Sequence, residues 1–317
     1  MPPYSKLASV GATRSLLEQW GLSTKKSLGQ HFLVSDGIVG KIIRLADLDT
    51  SDSRLSSNSS LNTVATTAGT PVFEPKRVVL EIGPGIGTLT EALLTTGATV
   101  IAVEKDYNLL KVLANYFSEY LRSEKLCLIA ADALDDQCIR ELSERTPTPQ
   151  TMVANLPYEA AASIVLEYFQ RLPRLQSATV MVQKEVAQRM AAVTGNKHYG
   201  AYTIKLRLLA HTGKQFDVAP RNFFPPPRVE STVIRLDRRV SPVSPRLLEA
   251  TNFLVTAAFF QRRKTIRNSM CAYFAVNDLD PTMVDDLLQT AKISSQVRGE
   301  VLEEDSYIKM AQAFLLL

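Results

Sequence analysis

The chain has 317 residues, 45% of them hydrophobic and 21% charged, with a formal net charge of +4. That length buries a full core and suggests one large and one small domain, while the mild positive balance permits an anionic partner without requiring one. No apolar run approaches the roughly 20 residues that span a bilayer, and no signal-peptide core is visible. Lys6 and Arg14 precede the first acid, Glu18, which gives a faint organelle-targeting flavour at most. Cys127, Cys138 and Cys271 form no C-x-x-C pair and are expected as reduced thiols of a cytoplasmic protein. His31, His198 and His211 are too scattered to suggest a metal site.

Residues 49–75 are rich in Ser and Thr and poor in large apolar groups, so a mobile insertion is expected there. Short apolar runs then alternate with amphipathic stretches. Strands are predicted at 77–82, 99–105, 126–132, 151–156 and 178–183, with helices at 87–97, 106–121 and about 159–171. Apolar strands separated by helices imply a parallel sheet covered on both faces. Two further strands, 214–220 and 230–237, have only "RNFFPPPRV" between them, so they are expected to pair antiparallel at one edge. From "SPVSPRLLEA" onward the chain reads helical. The predicted domains are therefore 1–240, an α/β unit, and 241–317, a small all-α unit.

"VLEIGPGIGTLTEAL" sets Gly83, Gly85 and Gly87 between a strand and a helix. Glycine there lets the backbone turn sharply and approach a ligand, with helix N–H groups directed at it. The spacing is G-x-G-x-G rather than the dinucleotide G-x-G-x-x-G, and no Gly-Lys-Ser/Thr follows as in a Walker loop. Glu104 ends the next strand, where a carboxylate can accept both hydroxyls of a ribose, and Asp132 ends the third, suited to an adenine amine. S-adenosylmethionine fits this set best, since it needs no phosphate cradle. The plainer alternatives are a packing turn for the glycines and a helix N-cap for Asp132.

"VANLPYEAAASIV" places Asn155 and Pro157 at the end of the fourth strand. An adenine exocyclic amine is a weak nucleophile because its lone pair is delocalised into the ring. Two acceptors for its N–H bonds, the Asn155 side-chain oxygen and the Leu156 carbonyl, would favour a pyramidal nitrogen and aim its lone pair. Pro157 stiffens the backbone, Tyr158 can stack on a flipped base, and no general base is needed. The plainer reading is a strand-to-helix turn in which Asn caps and Pro starts the helix.

With "KKSLGQHFL" (25–33), "EIGPGIGTLT" (81–90), "VEKD" (103–106), "ADAL" (131–134), "NLPY" (155–158), "VQKEVAQRM" (182–190), "FFPPPRVEST" (223–232) and "FFQRRKTIRNSM" (259–270), the sequence resembles the small-subunit (16S) ribosomal RNA adenine N6,N6-dimethyltransferase family. The resemblance runs from about 13 to 270, interrupted by 49–75. It implies a Rossmann-like seven-stranded class I methyltransferase sheet with a small helical C-terminal domain. It also implies transfer of methyl groups from S-adenosylmethionine to N6 of two adjacent adenines near the 3′ end of small-subunit rRNA. Carried over by motif, His31, Leu33, Gly83, Gly85, Glu104, Asp132 and Asn155 would hold the donor. Asn155, Leu156, Pro157 and Tyr158 would hold the target base, with Phe223 as its second aromatic clamp and Phe224 as the alternative.

Clustered cations suit phosphate contacts, which position RNA without specifying its sequence. Arg262, Arg263, Lys264 and Arg267 form a run without acids; Lys25 and Lys26 adjoin the "GQHFL" motif, and Arg221 and Arg228 flank the Pro-rich stretch. The plainer reading of any such run is a solvated helix face. The acidic segment "RGEVLEEDSY" argues against basic contact beyond it. The expected partner is rRNA in the assembling 30S particle, with no membrane or metal and with the protein acting as a monomer. An rRNA-binding assembly factor, a mitochondrial transcription factor of the same lineage and a DNA adenine methyltransferase remain as alternatives.

Overall fold

The computed structural model describes residues 2–23, 30–48, 77–240 and 243–316. The expectations for 49–75, Lys25 and Lys26 lie outside the described residues. In chain order the elements begin with α1 (Val10–Gln19), β1 (Phe32–Leu33), α2 (Asp36–Leu45), β2 (Val78–Ile82), α3 (Thr88–Thr95) and β3 (Thr99–Glu104). Next come α4 (Tyr107–Tyr116), α5 (Ser118–Arg122), β4 (Leu126–Ala130), α6 (Asp136–Glu144), β5 (Thr151–Asn155), α7 (Ala161–Arg171) and β6 (Ser177–Gln183). They are followed by α8 (Lys184–Met190), α9 (Ala201–Arg207), β7 (Ala210–Val218), β8 (Phe223–Phe224) and β9 (Ser231–Arg238). The chain ends with α10 (Pro245–Phe259), α11 (Ile266–Val276), α12 (Met283–Thr290) and α13 (Glu304–Phe314).

Seven strands form one sheet in the order β4-β3-β2-β5-β6-β9-β7. β2 pairs parallel with β3 and β5, β3 with β4, and β5 with β6. Every residue of β2 is buried, as expected of a central strand covered on both faces. β7 is the edge strand, and its residues from His211 to Gln215 are exposed. That polarity hid its true start at Ala210, four residues before the predicted one. The predicted helix 106–121 is two helices, divided at the buried Phe117. Asp106 starts the first of them by accepting the Asn108 N–H at 3.0 Å.

Two compact units result: Met1–Gln183 with Lys214–Arg235, and Lys184–Gly213 with Leu236–Leu317. This corrects the predicted boundary at 240/241. The physical reason lies in α9 and the loop before it: Ala192, Tyr199 and Ile204 are buried in the same apolar cluster as Leu254, Val255 and Ala258 of α10. In the first unit the N-terminal residues are part of the core. Leu7 and Ala8 are buried, the Ser5 hydroxyl donates to Glu91 Oε2 at 2.8 Å, and the Ser5 N–H donates to Asp36 Oδ1 at 2.9 Å. The three cysteines are free thiols. No helix among the described residues is long and apolar enough to cross a membrane.

Candidate active site

The sheet builds outward from β2 to β3 and β4, then resumes on the other side of β2 with β5. Ligands of open α/β sheets bind beyond the carboxyl ends of the strands at such a reversal. A cavity lies there in the first unit. His31, Leu33, Gly83, Gly85, Glu104, Asp132, Asn155, Leu156, Pro157 and Tyr158 all line it. Residues spread over more than 120 positions of sequence thus meet at four neighbouring strand ends and the segment leading into β1.

The glycine loop is built for close approach. Gly85 (φ +61) lies so near the Phe32 ring that a Cβ would stand 3.1 Å from it. At Gly87 (φ +93) a Cβ would stand 2.4 Å from Phe117. Both positions demand the left-handed backbone that glycine adopts without steric cost. The Gly85 N–H donates to Glu104 Oε2 at 3.3 Å, and the Asp106 N–H donates to Oε1 at 2.9 Å. Burial raises the Glu104 pKa above the ordinary carboxylate value, and these backbone donors oppose the shift. Each carboxylate oxygen accepts more than one hydrogen bond, so capacity for a diol remains.

Beneath the loop, Glu81 is 1% exposed and accepts the Thr90 hydroxyl at 2.7 Å. Burial pushes its pKa up to about 8, with the nearby Glu104 charge adding and the Thr90 bond subtracting. At neutral pH it is largely protonated and brings no second negative charge beside Glu104. Asp132 accepts the Leu134 N–H at 3.0 Å and lies 3.8 Å from the Lys105 ammonium. It does not cap the following helix, whose N-cap is Asp135.

At the end of β5 the Asn155 amide nitrogen donates to the His31 carbonyl at 3.2 Å. A carbonyl only accepts, so this contact fixes the amide orientation and leaves Asn155 Oδ1 with no partner among the described residues. The Leu156 N–H is taken by Met181 O at 3.1 Å, whereas the Leu156 carbonyl accepts nothing among the described residues. The capping reading of this corner fails, because α7 has Ala160 at its N-cap, five residues after Asn155. Tyr158 is half-buried, which raises its pKa, and its hydroxyl lies 2.7 Å from Ser231 Oγ. The His31 ring stacks on Tyr158, with centroids 5.7 Å apart and planes at 27°.

Phe223, the expected second clamp, is buried beside β1 and does not line the cavity. β8 pairs antiparallel with β1, Leu33 opposite Phe223 and Phe32 opposite Phe224. Alternation along that strand turns Phe223 into the core, 3% exposed, and leaves Phe224 half-buried with the Arg14 guanidinium 5.6 Å from its ring centre. Neither phenylalanine lines the cavity.

The basic run is also partly committed. Arg262 donates to Glu300 at 3.3 Å and to the Lys197 and Tyr199 carbonyls, and Arg267 forks onto Asp285 at 2.6 and 2.7 Å. Arg263 and Lys264 are exposed, with no side-chain partner among the described residues; Arg221 and Arg228 are exposed as well. Glu81 and Ser231 were not singled out as site residues from the sequence. An acid inside an otherwise apolar strand was the available signal for Glu81. For Ser231 the signal was its place in the "FFPPPRVEST" stretch, which does not say what the side chain touches.

The profile of the family described as ribosomal RNA adenine dimethylase matches residues 21–310. The chain belongs to that family. It aligns nearly end to end with bacterial relatives. The ribosomal RNA small subunit methyltransferase A of Enterococcus faecalis is 31% identical over 316 residues, 99% of this chain and 98% of that protein. Its namesake in Rhodococcus erythropolis is 34% identical over 317 residues, 98% of this chain and 95% of that protein. Among solved structures, a dimethyladenosine transferase from Plasmodium falciparum superposes with a TM-score of 0.66 at 23% identity, covering 90% of this chain and 98% of its own. The 23S rRNA methyltransferase ErmE gives 0.58 at 22%, covering 89% and 98%. These two establish that this dimethylase-family chain has the class I methyltransferase fold.

Proposed function

We propose that the chain transfers methyl groups from S-adenosylmethionine to N6 of two adjacent adenines near the 3′ end of small-subunit rRNA, giving N6,N6-dimethyladenine during ribosome assembly in the cytoplasm. The observation that carries this reading is the pair of acceptors without a partner among the described residues, Asn155 Oδ1 and the Leu156 carbonyl, on the wall of the cavity that the glycine loop also lines. The donor set suits S-adenosylmethionine: a half-satisfied carboxylate for a ribose, a strand-end Asp132 for an adenine amine, and glycines whose backbone can approach closely. When bound, that group supplies a methyl carbon on a positively charged sulfur.

The two acceptors take the N–H bonds of the target amine, pull it toward a pyramidal shape and direct its lone pair. Tyr158 offers a ring face to the purine. No side chain has to remove a proton before transfer, since the methylated amine is cationic and releases its proton to water. Arg221, Arg228, Arg263 and Lys264 are the cations left to meet phosphates, and Lys25 and Lys26 join them by motif. The chain acts on the assembling 30S particle as a monomer, with the helical unit contributing RNA contacts. A pure binding factor would have no use for the open acceptors.

The test is mass spectrometry of small-subunit rRNA from cells lacking the protein. Two adjacent adenines near the 3′ end should be unmethylated, and the full-length chain should restore them. Dimethyladenine persisting without the protein would refute the proposal.

A further inference from the structure

We propose that Ser231 is a positioning residue for the target adenine, acting through Tyr158; this rests on the adenine-methylation reading above. Ser231 opens β9 and is fully buried, 0% exposed, with its Oγ 2.7 Å from the Tyr158 hydroxyl. It lies 73 residues after Tyr158, so β9 delivers the partner and local chain geometry does not. A tyrosine ring has two side-chain torsions. Here the backbone end follows the rigid Pro157 and the far end is tied to Ser231, which leaves the ring little freedom to swing.

The ring is also backed on one side. His31 stacks against it, and His31 Nδ1 lies 2.7 Å from the Pro225 carbonyl. Since that carbonyl only accepts, Nδ1 carries the proton and the imidazole is held in place. His31 thus covers one face of Tyr158, and the target base would stack on the opposite one. Stacking worth about 1–3 kcal/mol per base is realised in full only if the ring is already in position, because ordering a loose side chain offsets it. The Ser231 hydroxyl supplies that order from outside the cavity. Burial raises the Tyr158 pKa, so the phenol stays protonated and able to share this bond across the neutral range.

The experiment uses the full-length chain and unmethylated small subunits, comparing Ser231→Ala, Tyr158→Phe and the double variant. Methyl transfer, donor affinity and thermal stability are measured for each. Loss of one buried hydrogen bond should lower kcat/KM for the subunits by roughly five- to tenfold in each single variant. Donor affinity should stay unchanged, and the double variant should be no slower than the slower single one, because both remove the same bond. Additive losses, wild-type rates in either single variant, or a donor affinity that falls in step with the rate would each overturn the proposal. Should Ser231→Ala not fold, Tyr158→Phe alone decides: a five- to tenfold loss with donor binding intact supports it, and a wild-type rate refutes it. A wild-type protein that transfers no methyl group contradicts the methylation reading itself. An active wild type with indifferent variants contradicts only the role of Ser231.

Discussion

The glycine loop and the Asn155–Tyr158 corner line the same cavity but are finished differently. Around the loop, the two acids are held from within: Glu104 takes two backbone N–H groups, and Glu81 takes the Thr90 hydroxyl while burial raises its pKa to about 8. At the corner, the Asn155 amide and the Leu156 N–H each donate one bond, while their oxygens have no partner among the described residues. An acceptor that lines an open cavity meets water at little cost, and a ligand amine can replace that water. The loop is thus shaped in advance from its own neighbourhood, whereas the corner is aimed by distant residues, His31 and Ser231. On the proposed reading the difference separates the donor-holding wall from the acceptor-holding wall, and substitutions should respect it.

The largest effect is expected at the corner. Asn155→Ala removes an oxygen that matters most as the amine changes shape, so turnover should fall by roughly 10²–10³-fold with donor affinity retained. Titration of the donor alongside rate measurements checks this; a variant that loses donor binding as much as turnover breaks the distinction between the walls.

Glu81 tests the loop's foundation through pH. The folded state holds its proton up to about 8, while an unperturbed carboxyl releases it near 4.5. Its contribution to stability is therefore complete below the lower value and falls as pH rises to about 8, by at most about 1.4 kcal/mol per pH unit. Glu81→Gln should flatten that decline, raising stability relative to wild type more at pH 8 than at pH 5 in denaturant titrations. An unchanged pH profile would show that the carboxyl is not held neutral.

Glu104→Gln should act on the donor side alone. We expect donor affinity to weaken about tenfold with saturated turnover nearly retained, since one charge-assisted contact is exchanged for a weaker one. The smallest effect belongs to neither wall: replacing both Arg263 and Lys264 by Ala should reduce the salt dependence of rRNA binding by a slope of about 2. An unaltered slope would remove these residues from the RNA contact.

Much of the first unit could be read in advance because its strands are short apolar runs bounded by turns, and its ligand-facing groups sit at their ends. Gly83, Glu104, Asp132 and Asn155 share one cavity for that reason. What escaped depends on partners far away in sequence. β1 and β8 are two residues each, too short for any periodicity, and their pairing fixes Phe223 inside. Arg262 and Arg267 read as free cations until Glu300 and Asp285, from later segments, are brought beside them. The two units divide the chain elsewhere than at the expected 240/241 because α9 and the loop before it pack into a core whose other buried members run from Ala250 onward. Ser231 lies within the "FFPPPRVEST" stretch, but its partner could not be read there, since that depends on where β9 delivers it.

The measurement closest to the central claim is transfer of labelled methyl groups by the purified full-length chain to unmethylated small subunits, followed by digestion to nucleosides. Two open oxygens facing an amine predict that the label accumulates in N6,N6-dimethyladenosine. Label at a ring nitrogen or a ribose hydroxyl, neither of which presents two N–H bonds to Asn155 and Leu156, would contradict the account.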